Sequence, residues 1–208
     1  MTPWRAALHN AVGLGLFAAV TVGAIALTAA LTGDRIEANQ ERVRQAALIE
    51  ILDPTGDDGS AFDLADRVSL QSTALGHREP QTAVRARRDG QLLALLIPVR
   101  IPDGYSGDIQ LLLGIEANGR IAGVRVVEHR ETPGLGDPIE RRKSDWIESF
   151  RGRSLGDPPL EGWTVRREGG DFDAFTGATI TPRAVARGIG RALLWFEEDG
   201  RDLLETAP

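Results

Sequence analysis

Ten consecutive residues concentrate the groups most able to do chemistry: Asp173-Ala174-Phe175-Thr176-Gly177-Ala178-Thr179-Ile180-Thr181-Pro182. Three hydroxyls and a glycine precede a stretch whose pattern predicts a helix. Free N–H groups and the helix dipole make such a place favourable for an anion, so a phosphate there needs no lysine. The plainer reading is cap and loop chemistry, with Thr181 as the cap and Pro182 at the first helical position. Spacing alone does not choose among the hydroxyls of Thr176, Thr179 and Thr181. Arg183 and Arg187, just beyond, either offset phosphate charge or form a solvated face.

A second segment, Glu131-Thr132-Pro133-Gly134-Leu135-Gly136, leaves a predicted sheet edge, a usual position for binding residues. Its plain reading is turn chemistry with a solvated Glu131. Trp146 has the ring to stack on a planar ligand but reads first as core. His129, beside Arg130, reads as a surface residue. Cysteine is absent and only three histidines occur, which excludes thiolate metal sites, Cys-ligated clusters and a Cys nucleophile, and leaves no set for a His-rich metal site. A net charge of −6 argues against a nucleic-acid partner.

The run Asp173-x-x-Thr176-Gly177-Ala178-Thr179 resembles the motif D-x-x-[S/T]-G-A-T read by the periplasmic flavin transferase. Glu131–Gly136 resembles a second hallmark of the same proteins, roughly 40 residues earlier. With the apolar N-terminus and the chain length, the pair is similar to the G subunit of the Rnf ion-translocating electron-transport complex. The resemblance implies FMN held covalently by a phosphoester to Thr179, with Asp173, Thr176, Gly177 and Ala178 forming the acceptor motif. It also implies contact of Glu131, Thr132, Leu135 and Gly136 with the flavin ring, backbone amides bonding the ring edge and Leu135 covering a face. The implied partners are the other Rnf subunits, both membrane and iron–sulfur, and the flavin transferase during maturation. The implied role is electron transfer between ferredoxin and NAD, coupled to ion movement, as a non-autonomous part of a translocase. The C subunit of the sodium-pumping NADH:quinone reductase is similar and usually longer. A single-pass binding or scaffold domain, with Thr179 in a helix cap, is the rival of a different class.

The elements that position these residues follow from periodicity. Gln81–Arg88, Gln91–Arg100, Ile109–Ala117 and Ile121–His129 are rich in Leu, Ile and Val. Asp89-Gly90, Pro102-Asp103-Gly104 and Asn118-Gly119 separate them, which predicts an antiparallel sheet. Helices are predicted over 34–52, around Ala61–Arg67, near Ser144–Phe150 and over Pro182–Glu198, with a further strand at Trp163–Glu168. The class is α+β.

Ala11–Leu31 holds 21 residues without a charge. As a helix this spans roughly 30 Å, the thickness of a bilayer core, and exceeds the apolar run of a signal peptide. The Gly13-Leu14-Gly15 run lacks the strand that a dinucleotide fingerprint requires. The expected organisation is a short tail (1–10), a single transmembrane helix (11–32), a juxtamembrane helix (33–56) and an antiparallel-sheet FMN-binding domain with flanking helices (57–208). The resemblance places that domain on the periplasmic side of the bacterial inner membrane. Flanking charge leans the other way: Arg35, Arg42 and Arg44 follow the span, and only Arg5 precedes it.

Overall fold

The computed structural model describes residues 3–54, 56 and 62–205. The chain divides into two units, 1–43 and 44–208. Helix α1 (Pro3–Leu52) fills the described part of the first unit and lends its last turns to the second. It is long and apolar enough to cross a membrane, with a mean hydropathy of 2.2 over its most apolar window and none of that window buried. Its threonines satisfy their own hydroxyls: Thr21, Thr28 and Thr32 each donate to the carbonyl four residues earlier, at 2.8–2.9 Å. That local bonding removes the cost of bare hydroxyls in an apolar setting.

The second unit is built on a five-stranded antiparallel meander in the order β1 (Arg67–Leu70), β2 (Gln81–Arg88), β3 (Gln91–Ile101), β4 (Ile109–Glu116), β5 (Ile121–Glu128). Both faces are covered, which is why β3 and β4 read as nearly continuous apolar runs rather than alternating ones. On one face Leu95, Ile97, Val99 and Ile101 of β3 and Ile109, Leu111, Leu113 and Ile115 of β4 meet helix α2 (Ile180–Trp195) through Val185, Ile189 and Leu193. Phe150, Trp163 and Phe172 extend this layer as a stack of rings with centroids 4.3–6.2 Å apart. On the other face Ala47, Leu48 and Ile51 of α1 pack on Val84, Ala86, Leu96, Leu112 and Ala122.

The end of α1 is seated on a pair of glycines. Gly114 and Gly123 are cross-strand partners on β4 and β5. A Cβ on Gly114 would stand 2.5 Å from Ile51 Cγ2, so only glycine admits the helix at this depth. Two arginines then serve its last carbonyls. Buried Arg125 donates to the Glu50 carbonyl at 3.2 Å and pairs with the Glu50 and Glu148 carboxylates at 2.9 and 2.7 Å. Arg151 donates to the Ile51 carbonyl at 3.2 and 3.3 Å. Groups that the helix cannot bond internally are thereby satisfied by side chains.

Several elements differ from the sequence reading. The Trp163–Glu168 strand is replaced by two 3-10 turns, Leu160–Gly162 and Arg166–Glu168, because the Trp163 ring is buried in the aromatic stack. Only a single bridge, Val165–Phe172, is strand-like there. Ala61 lies outside the described residues; Phe62–Asp66 is non-helical, and Arg67 opens β1. Near Ser144 the short helix is a 3-10 turn, Asp145–Phe150, capped by the Ser144 hydroxyl. Helix α2 starts two residues early and gives way to a π-helical turn at Phe196–Gly200, before a short α3 (Asp202–Glu205).

Gly114→Ala is expected to destabilise the second unit by about 1–3 kcal/mol through overpacking. In an Ile51→Ala background, where the obstructing methyl is gone, the same change should cost less. Urea unfolding of the four proteins of this cycle measures the coupling; equal costs in both backgrounds would refute the seat.

Candidate functional site

Segment 173–179 crosses from the aromatic stack to α2 and is held at both ends. Phe172 is buried, and the indole Nε1–H of Trp146 donates to the Asp173 carbonyl at 2.8 Å. Trp146 also meets Phe175 edge-to-face at 5.1 Å, and Phe150 likewise on its other side. Ala178 N–H then donates to the Phe175 carbonyl at 3.1 Å, closing a turn with Gly177 at φ +82° in its third position. A type II turn requires that left-handed residue, which explains the glycine.

Thr179 follows as the N-cap residue of α2. Its φ and ψ are −80° and −28°, already helical, and its hydroxyl makes no capping bond. The backbone carries the helix onward by itself, with Arg183 N–H bonding the Thr179 carbonyl at 3.2 Å. Thr179 is half-buried as a residue, with its hydroxyl uncommitted to the cap and next to the positive end of a helix dipole.

Loop 131–137 is a second tight turn. Leu135 N–H and Gly136 N–H both donate to the Thr132 carbonyl at 3.1 Å. Gly134 N–H donates to Asp137 Oδ1 at 2.7 Å, and Lys143 pairs with the other Asp137 oxygen at 3.1 Å. The amides of Gly134, Leu135 and Gly136 are thus engaged within the loop. The Leu135 side chain is left 45% exposed and faces Gly177.

Glu131 joins the two loops. It is 4% exposed, not solvated. One carboxylate oxygen accepts Ser106 N–H at 3.0 Å from the β3–β4 loop, and the other accepts a short bond from the Thr181 hydroxyl on α2. Cβ atoms on Gly104 or Gly136 would each come within 2.8 Å of this carboxylate, so both glycines are demanded by close approach. Glu131 N–H donates to His129 Nδ1 at 3.1 Å, and His129 Nε2 meets Glu140 at 3.0 Å. His129 is accordingly a largely buried link rather than a surface residue.

Glu131, Thr132, Leu135 and Gly136 line one cleft with Gly177, Ala178 and Thr179, joined by Tyr105 and Ile180. Its volume is about 140 Å³ and it opens to solvent. Seven of the nine residues singled out in the sequence thus meet at one place. Asp173 and Thr176 do not line it: both are exposed, and the Asp173 carboxylate pairs with Arg166 at 2.5 Å. Thr181 is an interior residue of α2, 1% exposed and bonded to Glu131, not the cap. Trp146 is off the cleft as a support. Arg183 and Arg187 pair with Glu168 at 2.6 and 3.0 Å, and the bond from Arg183 leads in holding the Glu168 carboxyl below its usual range. They are committed away from the cleft. Tyr105 was missed because its loop reads as plain turn residues; its only signal is that it is the sole tyrosine.

The fold and cleft define a class: a small ligand-binding α+β domain behind a helix fit to cross a membrane. Residues 104–194 match the FMN-binding domain family, and residues 1–51 match the RnfG N-terminal region. Relatives named as the G subunit of an ion-translocating oxidoreductase complex occur in Pseudomonas aeruginosa, 48% identical over 96% of this chain and 93% of that protein, and in Vibrio vulnificus, 42% identical over the same shares. A third, from Erwinia tasmaniensis, is 43% identical over 90% of this chain and 89% of its own length. The chain belongs to the RnfG family, the G subunits of ion-translocating oxidoreductase complexes.

Two outcomes test the site. The bond from Lys143 leads in lowering the Asp137 carboxyl below its ordinary 3.8, with burial opposing and Gly134 N–H assisting. Its stabilisation is therefore complete above that ordinary value and is lost as pH falls through the lowered one. The protection factor of the Gly134 amide, with the intrinsic pH dependence of exchange divided out, should fall across that acid window, and Asp137→Asn should remove that fall. Separately, Thr181→Val should cost about 1–3 kcal/mol in urea unfolding, because it strips a buried carboxylate of a donor. A cost typical of an exposed position would show that the bond contributes little.

Proposed function

We propose that this chain is the membrane-anchored flavoprotein component of an ion-translocating electron-transport complex, carrying FMN as a phosphoester on Thr179. The observation that carries the reading is the Thr179 hydroxyl itself: free of the cap, beside a helix N-terminus, and on the wall of a cleft shared by both motif segments. In forming the ester the Thr179 oxygen loses its proton and attacks the flavin-bearing phosphorus of a flavin dinucleotide, whose pyrophosphate bond breaks to release a nucleoside monophosphate, on a flavin transferase that reads the exposed Asp173 and Thr176. The residues fit the group. Leu135 and Ile180 offer apolar surface for a planar ring, and Glu131 holds together the loop and the helix that bear them.

Bound FMN supplies one- or two-electron exchange, and the protein supplies position and electrostatics. Glu131, Thr132, Leu135 and Gly136 act toward the ring through side chains and loop shape, since the turn amides are spent internally. The P. aeruginosa and V. vulnificus relatives are named as subunits of an ion-translocating oxidoreductase complex. The family resemblance extends the proposal further: the partners are the membrane and iron–sulfur subunits, and electrons pass between ferredoxin and NAD. Alone, this protein turns over no substrate. The domain faces the periplasm of the inner membrane, where the transferase works and where a lost FMN has no cytosolic pool to replace it.

Thr179→Ala should remove all covalent flavin from the chain co-produced with the transferase, read as loss of fluorescence on a denaturing gel. Unfolding free energy should change by no more than about 0.5–2 kcal/mol, the range of a cap substitution. Thr176→Ala, on the exposed side of the turn, should keep the flavin, and peptide mapping should place its mass on Thr179. A fluorescent Thr179→Ala band refutes the attachment. A reporter active only after export, fused behind Pro208, tests the placement; an active cytoplasm-only reporter would reverse it.

A further inference from the structure

Four large apolar side chains stand exposed among the described residues after α1: Tyr105, Leu135, Leu160 and Ile180. Three of them line the cleft. Singly exposed apolar residues need no explanation, but this clustering does. Tyr105 stands out. It is 68% exposed, and among the described residues after α1 it is the one exposed aromatic. Its loop is nonetheless firmly held. Ser106 N–H is bonded to Glu131 Oε1, and Gly104 is packed against the Gly107 carbonyl and the same carboxylate. A ring kept in water on a fixed loop, at a cleft whose other exposed large apolar walls are Leu135 and Ile180, presents a flat apolar face to a planar partner.

We propose that Tyr105 lies against the isoalloxazine ring and, with Leu135, holds it in place. The inference rests on the Thr179 reading and adds a ring-contacting residue to it. Stacked aromatic faces supply attraction beyond their buried area. Glu131 sets the phenol's position through Ser106 while it sets α2 through Thr181, so one carboxylate aligns a ring contact with the attachment point. A phenol in contact with flavin has a spectroscopic consequence. On excitation one electron passes from the phenol to the ring and returns without emission, leaving both unchanged overall.

The test uses the full-length chain in detergent, co-produced with the flavin transferase, with emission normalised to the same sample unfolded in urea. Folded wild type should be several-fold dimmer than unfolded. Tyr105→Phe keeps the ring but removes the readily oxidised phenol; it should retain covalent flavin and brighten several-fold when folded. Tyr105→Trp restores an oxidisable ring and should be dim again. Trp146→Phe, which alters the nearby indole off the cleft, should stay as dim as wild type. A folded wild type as bright as the unfolded one, a Tyr105→Phe protein as dim as wild type, a bright Tyr105→Trp, or brightening in Trp146→Phe would each overturn the contact. Absence of a fluorescent wild-type band on a denaturing gel is a different failure: it overturns the Thr179 reading, and this inference with it.

Discussion

The buried carboxylate of Glu131 is the constraint on which the cleft depends. Three segments far apart in sequence end at its two oxygens or pack against them: the β3–β4 loop through Ser106, α2 through Thr181, and its own loop through Gly136. A carboxylate taken out of water is costly unless its lone pairs are used, and here the backbone amide and the hydroxyl use them. The arrangement is also exacting. Gly104 and Gly136 have no side chain because the carboxylate occupies the room a Cβ would need. Charge, close packing and loop position are thus one solution rather than three.

Around that centre, charged groups mostly hold the protein together. Arg183 and Arg187 share Glu168, Lys143 serves Asp137, and Arg125 and Arg151 bond the final carbonyls of α1. Among the described residues, no lysine or arginine lines the cleft. The positive end of the α2 dipole is what the cleft wall offers an anion.

The sequence made the sheet legible where local chemistry decides. Apolar runs and their turn punctuation placed β2 to β5 and their antiparallel order. Both halves of the cleft were legible as motifs, since a turn beside a helix start leaves a local signature in Gly177 and Thr179. What stayed hidden depends on distant contacts. Trp163–Glu168 has strand-like composition, but the aromatic stack with Phe150 and Phe172 claims the Trp163 ring. Thr181 passes for a cap until Glu131, fifty residues away, is seen to take its hydroxyl. The family resemblance, not the spacing, singled out one threonine among three; the structure adds that Thr181 is engaged and Thr176 is exposed away from the cleft.

Thr179 sits between a closed turn and the first residue of a helix, so its backbone has almost no play. From that backbone to the hydroxyl oxygen there is a single rotatable bond, with three staggered settings. Any group attached to that oxygen is therefore fixed at its root and moves with the domain as a body. Beyond the root, a chain of single bonds would turn freely, so it falls to the cleft walls rather than to the attachment to hold a ring still.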